Sequence, residues 1–121
     1  SGVGRNMSFA HFAKGLVLRI LKEPAVAEES LRRANELQPD VSNTLLELVR
    51  CLGEQGKHVE ALPFARKAVE CEPDNPACLG NLAMTLFLIG EKEEARINIE
   101  RALEIDPTDA VNRLIYSNFE Q

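Results

Sequence analysis

Three cysteines, Cys51, Cys71 and Cys78, are the side chains best suited to hold a metal or form a disulfide, and their spacing favours neither. A structural zinc site draws ligand pairs about two to four residues apart. No cysteine pair here is so spaced, and His11 and His58 lie far from all three in sequence. The expectation is three free thiols, no metal and no cofactor. A Cys71–Cys78 bridge across one turn is the alternative, disfavoured in a cytosolic protein. For nucleophilic catalysis, neither histidine has a serine or cysteine placed to pair with it. His11 reads as a half-buried helix residue and His58 as an exposed turn residue. The glycines Gly15, Gly53, Gly56, Gly80 and Gly90 form no phosphate-cradling pattern. The runs Glu28-Glu29 with Arg32-Arg33, and Glu91 to Glu94, read as solvated helix faces. No enzyme emerges from these residues.

What positions them is a repeat. Pro39, Pro73 and Pro107 recur every 34 residues, and with them travel Ala27, Ala61 and Ala95, then Ala34, Ala68 and Ala102. Leu18, Leu52 and Leu86 keep the same register. A fixed period of this length, with small residues at two columns and a proline closing each unit, specifies a helical solenoid. The units run 8–41, 42–75 and 76–109, leaving a head, 1–7, and a tail, 110–121. In the third unit a first helix is expected from about Ala77 to Ile89, with Asn75 as its cap and Pro76 at its first position. Gly90 ends it. A second helix near Glu91 to Ile105 carries Ala95, Ile99, Ala102 and Leu103 at helical spacing, and Pro107 stops it. Cys71 shares a column with Leu37 and Ile105, which predicts a small buried hydrophobe.

The run Leu79, Leu82, Ala83, Leu86, Gly90, Ala95, Ile99, Ala102 and Pro107 resembles a tetratricopeptide repeat. The second unit matches at Leu45, Leu48, Leu52, Gly56, Ala61, Ala68 and Pro73, and the first at Gly15, Leu18, Ala27, Leu31, Ala34 and Pro39. The resemblance implies an all-α, right-handed α-α superhelix of three helix-turn-helix repeats that binds partners and catalyses nothing itself. His11 and Lys14 depart from the pattern, standing where the family favours large apolar residues, and Ala65 replaces a larger side chain beside Phe64. Pro63 falls within a predicted helix, so a local bend is expected there. In the tail, Val111, Leu114, Ile115 and Phe119 predict a seventh helix covering the last repeat, because solenoid ends need a cap. The start of a truncated fourth repeat is the alternative.

With 19 acidic against 14 basic residues the net charge is -5, which argues against nucleic-acid and anionic-membrane partners. Basic or neutral protein partners fit better. No apolar run is long enough to span a membrane, and the head lacks the apolar core of a signal peptide, so a cytoplasmic location is expected. Residues 1–7 read as a tag remnant or linker, and the chain as a candidate piece of a larger protein.

The family resemblance implies a concave groove lined by the face of each first helix opposite its packing columns. That stripe holds Phe9, Phe12, Ala13, Leu16, Arg19 and Ile20, then Asn43, Leu46, Glu47, Arg50, Gly53 and Glu54. It ends with Ala77, Gly80, Asn81, Met84, Phe87 and Leu88. Phe9, Phe12 and Leu16 have a second placement open to them: a rotated first helix would bury them in its own core. Some family members use an asparagine at the Asn81 column to hydrogen-bond a ligand backbone. The clamp with which chaperone-binding members grip a terminal carboxylate is absent, because Phe12, Leu16, Glu47, Ala77 and Asn81 occupy its positions. The reading is a peptide- or protein-binding adaptor. Two alternatives are a regulatory or substrate-recruiting segment of an enzyme such as a transferase, and a self-associating module.

Overall fold

A computed structural model describes residues 2–120, and these form seven α-helices, a short 3-10 turn and no strand. The helices are α1 (Gly2–Ile20), α2 (Pro24–Leu37), α3 (Ser42–Glu54), α4 (His58–Cys71), α5 (Pro76–Leu88), α6 (Lys92–Ile105) and α7 (Ala110–Ser117). Each stops two residues short of its proline in the second helix of a pair, at Leu37, Cys71 and Ile105 before Pro39, Pro73 and Pro107. Proline there has no N–H to continue the ladder. Asn75 caps α5 by accepting from the Ala77 amide at 2.9 Å, with Pro76 at the first helical position. Asp109 caps α7 in the same way through the Asn112 amide. Within the helix pairs, the turns place Gly56 and Gly90 at φ 75° and 94°, a left-handed backbone that suits glycine. At the corresponding position of the first pair stands Lys22, also left-handed at φ 65°.

Every helix packs on its chain neighbours. In addition α1 touches α3, α3 touches α5 and α5 touches α7, whereas no comparable contact joins α2 to α4 or α4 to α6. First helices therefore crowd together on one side while second helices splay on the other, which curves the stack into an all-α superhelix. The alanine columns make the close approach possible: Ala27, Ala34, Ala61, Ala68, Ala95 and Ala102 are all buried. Larger side chains fill the seams, with Leu31, Leu48 and Cys51 packed against Phe12, Leu18 and Phe64 between the first two pairs. Leu79, Ile99 and Ile115 do the same at the other end.

Helix α1 begins within the head, at Gly2, and Ser8 is buried with its hydroxyl donating to the Ala34 carbonyl at 3.0 Å; Ser1 and Gln121 lie outside the described residues. Helix α4 runs unbroken through Pro63, which sits on the exposed side. Other expectations require correction. His58 is a half-buried first residue of α4 rather than an exposed turn residue. The Cys71 column is not core: Leu37 is half-buried, Cys71 exposed and Ile105 41% exposed, because the column falls at the last residue of each second helix, beyond the reach of the next pair. In the tail, Ile115 and Phe119 do pack inward, but Val111 and Leu114 are 66% and 70% exposed.

The thiols should therefore report their environments. Burial pushes Cys51 and Cys78 each up to about 11, whereas Cys71 is open to solvent. Because the thiolate is the reacting form, a limited dose of iodoacetamide at neutral pH is expected to alkylate Cys71 alone in the folded chain. All three should react in denaturant, as read by mass spectrometry; equal labelling of Cys51 in the native state would contradict the packing.

Candidate partner-binding groove

The concave side is built from α1, α3, α5 and α7, and it divides into three zones. At the α1 end, a shallow recess of about 170 Å³ is lined by Ser8, Phe9, Phe12, Asn43 and Thr44. Phe9 is 70% exposed, whereas Phe12 is half-buried and leans on the seam with Leu31 and Leu48. Leu16 is half-buried as well. The two placements left open for this helix are thus both used, Phe12 serving the core and Phe9 facing outward. A full rotation of α1 is blocked by Gly15, which is buried where any side chain would strike Leu31.

The middle zone is ionic. Arg19 Nε donates to Glu47 Oε2 at 2.7 Å and its Nη1 to Glu54 Oε1 at 3.1 Å, while Arg50 Nη1 donates to Glu47 Oε1 at 2.7 Å. Burial works against the Arg19 charge, but the hydrogen bonds to Glu54 and Glu47 outweigh it and hold its pKa above the ordinary value. Glu47 is 6% exposed and Leu46 5%, so both lie beneath the surface rather than along it. The cause is position in the stack: α3 has α1 on one flank and α5 on the other, and Thr44 through Val49 are all buried.

The third zone is a cavity of about 630 Å³ between α3, α5 and α7, walled by Met84, Val111, Leu114 and Ile115 with Arg50, Asn81 and Asp109 among its polar groups. Arg50 and Asn81 are thereby brought to one site. Asn81 is half-buried, and its Nδ2 donates to the Ala77 carbonyl at 2.8 Å. Phe87 is drawn away, its ring meeting Phe119 edge-on at 5.1 Å with the Lys92 ammonium 5.6 Å from its centroid. Sequence reasoning missed Val111, Leu114 and Asn118 as wall residues. Carrying the groove columns one further 34-residue step, from Ala77, Gly80 and Met84, lands on all three.

Curved stacks of paired helices with a concave inner face form one class of repeat protein, the α-solenoids. Within that class, profiles described as tetratricopeptide repeat match residues 53–115 and 10–41. The chain belongs to the tetratricopeptide repeat family. It is 39% identical over 106 residues to Anaphase-promoting complex subunit 7 of Dictyostelium discoideum, a match covering 85% of this chain and 18% of that protein. The chain thus spans under a fifth of the length of that curated relative. Among solved structures, the second TPR domain of human RPAP3 in complex with the HSP70 peptide SGPTIEEVD superposes with a TM-score of 0.90 at 13% identity, covering 98% of both chains. YrrB, described as a TPR protein with an unusual peptide-binding site, gives 0.84 at 24% identity, over 91% of this chain and 57% of that one. At such identities the superpositions speak to the fold.

Proposed function

We propose that this chain is a protein-interaction module that holds a segment of a protein partner along its concave face and contributes binding rather than chemistry. The observation that carries the reading is the 630 Å³ cavity, in which exposed apolar side chains, Val111 and Leu114, stand beside Arg50 and the Asn81 amide. Apolar walls with a few convergent polar groups are how binding sites combine affinity with orientation. The relative of this chain is by name a subunit of a complex, and the RPAP3 domain was solved with a bound peptide. Both support a partner that is itself a protein, met within a larger assembly. The groove residues in this reading are Phe9, Phe12, Leu16, Asn43, Arg50, Asn81 and Met84, with Leu46, Glu47 and Phe87 supporting them from below.

The test is affinity capture from the native host followed by mass spectrometry, run in parallel with folded variants. Met84→Glu and Leu114→Glu should lose the partners that the parent retains, while Arg33→Glu and Arg101→Glu, on exposed parts of second helices, should keep them. The opposite pattern would end the groove reading. With a captured partner in hand, Asn81→Ala is expected to weaken its binding by about 1 kcal/mol, the usual worth of one hydrogen bond, with an unchanged melting curve.

A further inference from the structure

We propose that Glu47 sets the charge selectivity of the groove: by engaging both Arg19 and Arg50 it reserves the concave face for an apolar segment bearing lysine or arginine and turns acidic segments away. This rests on the groove reading above. Two arginines in the middle of this face, Arg19 and Arg50, are already bound to carboxylates of the same chain, Arg19 to Glu47 and Glu54 and Arg50 to Glu47. An acidic ligand reaches only the unused N–H groups of Arg50, whose side chain is 41% exposed and whose charge Glu47 already offsets; to gain a full ion pair it would have to draw a guanidinium off Glu47, whose side chain is 8% exposed. Doing so strands a buried carboxylate, which costs more than the new surface pair returns. A basic ligand faces no such barrier. Glu54 has its side chain 41% exposed, and Asp109 lies in the wall of the large cavity with its capping bond to Asn112 as its protein contact. Between Arg19 and the large cavity, two cations therefore meet three carboxylates, flanked by the apolar side chains Phe9 at one end and Met84, Val111 and Leu114 at the other.

The experiment uses the whole chain and three fluorescein-labelled octapeptides in which leucine alternates with lysine, serine or glutamate, followed by fluorescence anisotropy at low salt. The parent is expected to prefer the lysine peptide over the glutamate peptide by about tenfold or more, as charge complementarity at a partly desolvated face allows. Glu47→Gln, close in shape but uncharged, should shrink that ratio by about fivefold, because Arg50 loses its carboxylate partner and Arg19 keeps only the more exposed Glu54. Glu93→Gln makes the same change in net charge on an exposed α6 residue without an ion pair among the described residues, and should leave the ratio alone. Should Glu47→Gln fail to fold by circular dichroism, Arg50→Gln provides the converse: with one cation gone from the face, preference for lysine should widen. Equal shifts from Glu47→Gln and Glu93→Gln, a parent without charge preference, or no binding of any peptide would each overturn the inference. Peptide binding that survives Met84→Glu and Leu114→Glu would instead overturn the groove reading, so the two failures are separable.

Discussion

Leu48→Ala is expected to cost about 2–5 kcal/mol of stability, the range for removing a fully buried leucine whose surroundings cannot collapse. Leu48 has no exposed surface and sits with Ala27, Leu31 and Cys51 at the seam between the first and second helix pairs. The neighbours that would have to close the gap are held by short alanine contacts, so the void should persist. Because each pair leans chiefly on the next, the loss acts on one coupling rather than on a shared centre. Urea unfolding should accordingly move to lower midpoint and broaden or split, the first pair separating from the rest. Leu88→Ala, at a residue 50% exposed, should stay within about 0.5 kcal/mol of the parent. A sharp, single, unshifted transition for Leu48→Ala would contradict the seam described here.

Gly80→Ala should detach α7. A methyl group on Gly80 would overlap Oδ1 of Asn112 and lie 3.0 Å from its Cγ. Asn112 cannot swing aside without loss: it is 2% exposed, its Nδ2 donates to the Pro76 carbonyl at 3.0 Å, and its amide is capped by Asp109. Overpacking of this kind costs about 1–3 kcal/mol. Replacing glycine inside a helix returns up to about 1 kcal/mol, and the broken Asn112 bond takes back as much. The expected net result is a lower melting temperature together with rapid amide exchange confined to residues 110–120. Gly53→Ala is the control, since its nearest new neighbour would be His58 at 3.9 Å and the substitution should stabilise. The double variant Gly80→Ala with Asn112→Ala should recover most of the α7 protection; failure to do so would place the conflict elsewhere.

Much of the architecture was readable because a 34-residue period repeats each local rule three times. The alanine columns, the Asn75-Pro76 start of α5 and the left-handed Gly90 are all local devices, and all are in place. The groove was less readable for a reason that periodicity does not encode. A helical stripe says which way a side chain faces, not how many helices stand around it, so Leu46 and Glu47 share columns with Phe12, Ala13, Gly80 and Asn81 yet are buried by the flanks of the middle helix. Phe87 meets a ring 32 positions along the chain, Phe119, anchored by Arg96 through both its ring and its carbonyl, a pairing outside the 34-residue register. The Cys71 column misled because a repeat position at a helix end inherits the spacing of the core without its neighbours.

The turn at Lys22 has a consequence for the order in which the array comes apart. A residue with a side chain held left-handed costs about 1–2 kcal/mol relative to glycine, and Lys22 bears that cost where Gly56 and Gly90 do not. The same helix pair carries exposed Lys14 and half-buried His11 at columns that hold Leu45, Leu48, Leu79 and Leu82 elsewhere. In a stack of neighbours such a deficit stays local. Of the three helix pairs, α1 with α2 is therefore expected to peel first under heat or tension, while the large cavity belongs to α3, α5 and α7. A partner seated there would be gripped by the half of the spring that is still wound.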